Sequence, residues 1–166
     1  REFYRLGVRY MTLTHNVTHD WADAHNDEPR NNGLSEFGKE VVREMNRLGM
    51  VINVSHASDD TIAQTLEIST APIVATHHGM RALNNIPRNL PDDLLRAIAD
   101  KGGVVDAVAY KEFLKHDPGR EAAEKKLQKA IAKQRGEAEY DSDKDDYLPA
   151  MDAGMAEIQK KYPLAT

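Results

Sequence analysis

Four short apolar runs recur through the first two-thirds of the sequence, separated by stretches of helical length. They are "VRYMTLT" (Val8 to Thr14), "MVINV", "PIVAT" and "VVDAVAY", rich in β-branched residues and so read as strands. Between the first two runs, Ser35 is placed to cap a helix with Phe37, Val41, Met45 and Leu48 on one face, closed by Gly49. Ser58 caps a second helix carrying Ile62 and Leu66, stopped before Pro72. Pro91-Asp92-Asp93 opens a third with Leu94, Leu95 and Ile98 inward, ending near Gly102-Gly103. Strands alternating with helices mean βα units and a parallel sheet, with strands expected to be apolar on both faces.

Two architectures satisfy that alternation, a doubly wound sheet and a (β/α)8 barrel. A complete barrel takes roughly 250 residues, so the 166-residue chain supplies only part of one. No Gly-rich phosphate loop follows any run, which weakens a nucleotide-binding doubly wound sheet. Residues 1–111 are therefore expected to form about four βα units of an α/β partial TIM barrel. Residues 112–166 form a charged helical insertion or hairpin, with Leu127 and Ile131 on an exposed, ion-pair-rich helix and Met151, Met155 and Ile158 on a last one. The acidic stretch "EYDSDKDDY" lacks the Gly and terminal Glu spacing of a calcium loop. The opening "REFYRLGVRY" reads as a last helical turn capped at Gly7, so the chain is expected to be an excerpt of a longer protein. Its compartment is left open, cytoplasmic and exported alike.

Composition narrows the chemistry. The formal net charge of −5 argues against a nucleic-acid partner or an anionic membrane surface. No cysteine is present, so any metal must be held by His, Asp or Glu. Six of the seven histidines fall between His15 and His78. Three of them close strands: His15 after "YMTLT", His56 after "INVS" and His77 after "IVAT". In parallel α/β folds the C-terminal strand ends share one rim, and function collects there. Three imidazoles on one rim suit zinc or a similar metal better than they suit three unrelated hydrogen bonds. His78 adjoins His77 and points elsewhere. His19-Asp20 and the His25-x-Asp27 pair lie in a long polar loop and read as solvated; His116, before Asp117-Pro118, reads as a turn residue. Arg88 falls in a rim loop, where it could clamp a carboxylate or simply face solvent. Trp21, the only tryptophan, either lines a pocket or anchors its loop.

The segments "LGVRYMTLTHN", "GLSEFGKEVVREMNRLGMVINVSHASDDT", "APIVATHH" and "IPRNLPDDLLRAIADKGGVV" resemble the membrane dipeptidase (renal dipeptidase) family of zinc peptidases, amidohydrolase-like metal-dependent hydrolases. The likeness runs almost continuously from Leu6 to Val105; the tail after Lys111 is outside it. It implies a (β/α)8 barrel with two bridged zinc ions, with His56 and His77 ligating one of them. It further implies that His15 faces substrate and helps stabilise the oxyanion, and that Arg88 helps bind substrate. The family's first His-x-Asp ligand pair and bridging Glu are expected upstream of Arg1, and its "GSDFDG" motif downstream of Thr166. His25-x-Asp27 stands in the wrong place to replace that pair. His78-Gly79 follows the second strand-end histidine where many members carry Ser.

The sequence thus predicts the middle of a dipeptidase-like barrel whose substrate is a dipeptide. The isolated chain is expected to be inactive, to bind zinc weakly and to associate through its open sheet edges as a homo-oligomer or aggregate. The alternatives are a deacylase-like amidohydrolase, or a non-catalytic α/β binding module whose strand-end histidines are structural.

Overall fold

A computed structural model describes residues 1–115, 117–138 and 148–163. His116 and the stretch "EYDSDKDDY" lie outside the described residues. The chain divides into two compact units, Arg1–Leu114 and Lys115–Thr166.

The first unit runs α1 (Glu2–Arg5), β1 (Tyr10–Thr12), α2 (Glu36–Leu48), β2 (Val51–Asn53), α3 (Asp59–Ile68), β3 (Val74–His78), α4 (Asp92–Asp100), β4 (Val104–Ala107) and α5 (Lys111–Leu114). The strands form one parallel sheet in the order β1-β2-β3-β4. Tyr10 pairs with Val51, Asn53 with Val74, and Val74 with Val104. A doubly wound sheet reverses its strand order at a switch point. This sheet never reverses, so successive crossovers of one hand place the helices on one face, as in a barrel wall. The fold is a partial (β/α) barrel.

Local chemistry sets the helix ends. Ser35 Oγ accepts from Gly38 N and Ser58 Oγ from Thr61 N, each satisfying an orphan amide of its helix. Gly49 closes α2 in the left-handed conformation, at φ 75°. The core lies between sheet and helices. Ile52, Val54, Ile73 and Ala75 meet Val42 and Met45 of α2, Ile62 and Leu66 of α3, and Leu94 and Ile98 of α4. Burying each large aliphatic side chain contributes about 1.5–3 kcal/mol.

Two sequence expectations are corrected. The buried face of α2 is Gly38, Val42 and Met45, whereas Phe37 is 63% exposed. Val41 and Leu48 still pack against the core, but the helix is turned toward Gly38, which seats directly on the Trp21 carbonyl. A Cβ there would lie 2.0 Å from that oxygen. Nor are the strands apolar on both faces. Thr12, Asn53 and Thr76 form a polar ladder, Asn53 Nδ2 donating to Thr12 Oγ1 at 2.8 Å and Thr76 Oγ1 at 3.0 Å. At the sheet edges Tyr10 and Val104 are exposed.

The second unit contains α6 (Pro118–Gln134) and α7 (Leu148–Lys161). Asp117 caps α6 through Arg120 N. Arg120 Nη1 donates to Gln159 Oε1 and to the Tyr162 carbonyl, both at 2.8 Å, while Leu127 packs on Gly154. These contacts pair the start of α6 with the end of α7, so the helices run antiparallel. Ile131, expected on an exposed helix, is buried. Among the described residues no helix is long and apolar enough to cross a membrane.

Candidate metal-binding rim

The polar ladder leads directly to the strand ends. Ser55 Oγ lies 3.3 Å from Thr76 Oγ1 and accepts from His77 N at 3.2 Å, and Thr76 Oγ1 lies 2.9 Å from His77 Nδ1. The Thr76 hydroxyl thus holds one ring nitrogen of His77 and leaves the other, Nε2, directed away from it. That second nitrogen meets Nε2 of His56 at 2.8 Å. For the contact to be attractive, one of the two must carry the proton and the other the lone pair.

His56 is the hub of the cluster. Its ring centroid lies 4.3 Å from that of His15, 4.9 Å from His77 and 5.4 Å from His25. Its backbone is left-handed, φ 69°, which turns the chain sharply as it leaves β2. A cavity of about 290 Å³ opens over the cluster, lined by Thr12, Thr14, His15, His19, His56 and His77. The structure therefore brings His15, His56 and His77 to one rim.

Arg88 is not a solvated loop arginine. It is 8% exposed, and its Nη2 donates to the His77 carbonyl at 2.7 Å. Its Nη1 lies 3.2 Å from His78 Nδ1, and the guanidinium stacks over Phe113 at 5.0 Å. Because guanidinium only donates, His78 accepts at Nδ1. His78 points away from the cavity, as alternation along a strand requires. Burial, followed by the Arg88 charge, lowers the pKa of both His56 and His78 to about 3. The same two causes, in the same order, lower that of His77. Burial lowers Arg88 itself to about 10. His56 and His77 are thus neutral at pH 7, the form that binds metals.

These donors suit zinc in type and protonation state, but a zinc site takes four ligands. Among the described residues no three His, Cys, Asp or Glu side chains gather so as to hold a metal ion. The rim fits one side of a metal site.

Sequence reasoning missed two features of the long loop. His25 is half-buried, not solvated; its Nδ1 lies 2.9 Å from the His56 carbonyl. Asp23, 1% exposed, organises the loop: its carboxylate accepts from the amides of Arg30, Asn31 and Gly33 and from Asn31 Nδ2. Burial alone would raise its pKa, but those hydrogen bonds outweigh it and leave the carboxyl below the ordinary range. Trp21 anchors the loop, its carbonyl accepting from Ser35 N. The polar ladder itself was readable: Thr12 and Thr14, then Asn53 and Ser55, alternate with apolar residues at the period of a strand.

Residues 1–141 match the family described as membrane dipeptidase, peptidase family M19. An uncharacterized dipeptidase of Schizosaccharomyces pombe is 44% identical over 119 residues, 71% of this chain and 29% of the relative. Dipeptidase 3 of Mus musculus is 46% identical over 110 residues, 63% of this chain and 22% of its own length. Among solved structures, the probable dipeptidase PvdM from Pseudomonas aeruginosa superposes with a TM-score of 0.72 at 28% identity, covering 99% of this chain and 46% of that one. An amidohydrolase from the same organism gives 0.62 at 30% identity, over 95% of this chain and 41% of the other. The chain thus spans less than a third of the length of these two dipeptidase relatives. The sheet order, the histidine rim and these likenesses agree: the chain belongs to the membrane dipeptidase family of peptidases.

Proposed function

We propose that this chain is the part of a zinc dipeptidase that supplies one metal half-site and one wall of the substrate pocket. The observation that carries the reading is the facing pair of imidazole nitrogens, His56 Nε2 and His77 Nε2, 2.8 Å apart on adjacent strand ends. Both would be metal ligands. Zinc bound there would lower the pKa of a coordinated water and polarise a peptide carbonyl.

This chain's own residues prepare that chemistry. Burial and the Arg88 charge keep the two imidazoles unprotonated. Thr76 fixes His77 by its other ring nitrogen, the kind of outer partner that orients a ligand. His15, exposed beside His56 on the cavity wall, is placed to donate a hydrogen bond to the carbonyl oxygen of a bound dipeptide. Arg88 contributes to substrate binding by its charge, and it holds the His77 carbonyl. Its guanidinium has five N–H donors, of which the contacts to His77 and His78 use two.

The test is dipeptide hydrolysis by the full-length protein, with and without chelator. His77→Ala should abolish chelator-sensitive turnover while the protein stays folded, and the chain of residues 1–166 alone should turn over nothing. Unchanged hydrolysis by the His77→Ala protein would overturn the reading. The resemblance to an amidohydrolase supports a second reading, hydrolysis of other small amides by the same groups. A panel of dipeptides and N-acyl amino acids separates the two.

A further inference from the structure

We infer that His25 is a positioning residue which, by clamping the backbone carbonyl of His56, aims the His56 ring at His77. Among the described residues only Asn32 and His56 adopt a positive φ without being glycine. A left-handed non-glycine residue persists where its surroundings over-determine it. At His56 the determinant is visible. The His56 carbonyl accepts two hydrogen bonds from one residue, from His25 N at 2.9 Å and from His25 Nδ1 at 2.9 Å. The flanking residues add a bridge, Ala24 pairing antiparallel with Ala57.

The clamp has a direct geometric consequence. Rotating the peptide that follows His56 would change its ψ, and with it the direction from which the ring leaves the chain. The two donors of His25 hold that peptide in one orientation, and in that orientation Nε2 of His56 lies 2.8 Å from Nε2 of His77. The ring itself is held only by its imidazole neighbours: Nε2 meets His77, the rings of His15 and His77 pack 4.3 and 4.9 Å away, and Nδ1 is buried without a partner. The backbone from which the ring springs is held by His25.

The chemistry also fixes the tautomer. A carbonyl only accepts, so His25 carries its proton on Nδ1. Asn places its amide nitrogen where His places Nδ1, so His25→Asn should preserve the clamp, whereas His25→Leu keeps bulk and loses the donor. The His25 ring forms one wall of an open cleft with Ser58, Asp59, Arg81, Asn85 and Pro87, so shortening it vacates a solvated space rather than the core.

The inference rests on the half-site reading for its purpose but not for its test. In metal-free protein labelled with 15N-histidine, long-range 1H–15N spectra report which ring nitrogens of His56 and His77 are protonated. Wild type and His25→Asn should show one protonated and one bare Nε2 in a fixed pair. His25→Leu should show both rings averaging between tautomers. Titration with zinc alone should then show a dissociation constant raised about tenfold or more in His25→Leu, and largely restored in His25→Asn. Spectra of His25→Leu identical to wild type, or a His25→Asn protein as impaired as the leucine variant, would overturn the inference. If leucine disturbs folding, His25→Ala decides by the same spectra. Should His56→Ala leave zinc affinity unchanged, the half-site reading fails, and the metal-free spectra still decide the role of His25.

Discussion

Arg88 Nη2 donates to the backbone carbonyl of His77 across 2.7 Å, while its Nη1 reaches His78 Nδ1. One buried cation thus holds both members of the His77-His78 pair, although the two side chains face opposite sides of the strand. Replacing it by Met should leave a buried carbonyl and a buried imidazole nitrogen without a donor, costing about 2–4 kcal/mol. The same substitution removes the charge that, after burial, most depresses His56 and His77. NMR titration of Arg88→Met should therefore find both imidazoles titrating at higher pH than in wild type; unchanged titration would show that burial alone sets them.

Stability should fall in mild acid. Burial and the Arg88 charge lower the folded-state pKa values of His56 and His78 to about 3, from an ordinary histidine value of 6.5. Below that ordinary value the unfolded chain takes up protons that the folded chain refuses, so the unfolded state binds more protons and stability rises with pH. The loss begins as pH drops through about 6.5 and continues toward the folded value. Denaturant midpoints at pH 7.5, 6 and 5 should decline in that order, and His78→Asn should flatten the decline. A midpoint independent of pH across this window would contradict the burial of these imidazoles.

The long loop should depend on Asp23 more than on any of its histidines. Asp23→Ala removes the acceptor for the amides of Arg30, Asn31 and Gly33, and a loss of about 3–5 kcal/mol is expected. Its lowered pKa adds stability that is present above the ordinary carboxylate range and lost as pH falls through the folded value. Limited proteolysis should cut the variant between residues 15 and 33 before any other segment. A variant that melts like wild type would show that the loop is held by other contacts.

Gly38→Ala should destabilise the protein although alanine favours helix by about 1 kcal/mol. The added Cβ would approach the Trp21 carbonyl to 2.0 Å, a backbone atom that cannot turn aside. The expected cost is about 1–3 kcal/mol, read as a lowered thermal midpoint with a red-shifted Trp21 emission. A stabilised variant would mean that α2 can slide away from the loop.

Much of this was legible in the sequence. The alternation of apolar runs and capped helices foretold the parallel sheet, because a strand or helix that must bury one face advertises the period of that face. Ser35, Gly49 and Ser58 mark helix ends because a cap is a local interaction between neighbours in the chain. The convergence of His15, His56 and His77 on one rim was foreseeable because strand ends meet by topology alone. What escaped was decided by long-range contact. The rotation of α2 that exposes Phe37 depends on Gly38 meeting Trp21. The burial of Arg88 depends on Phe113 and the His77 carbonyl. The role of His25 depends on a carbonyl thirty-one residues away, and no local pattern encodes that meeting.

If His56 and His77 together ligate one metal, crystals of the chain soaked in excess zinc and measured at the zinc absorption edge should show where it sits. An anomalous peak is expected about 2.0–2.1 Å from Nε2 of both His56 and His77, and none in His77→Ala crystals. Zinc bound elsewhere, with the two imidazoles still hydrogen-bonded to each other, would contradict that shared ligation.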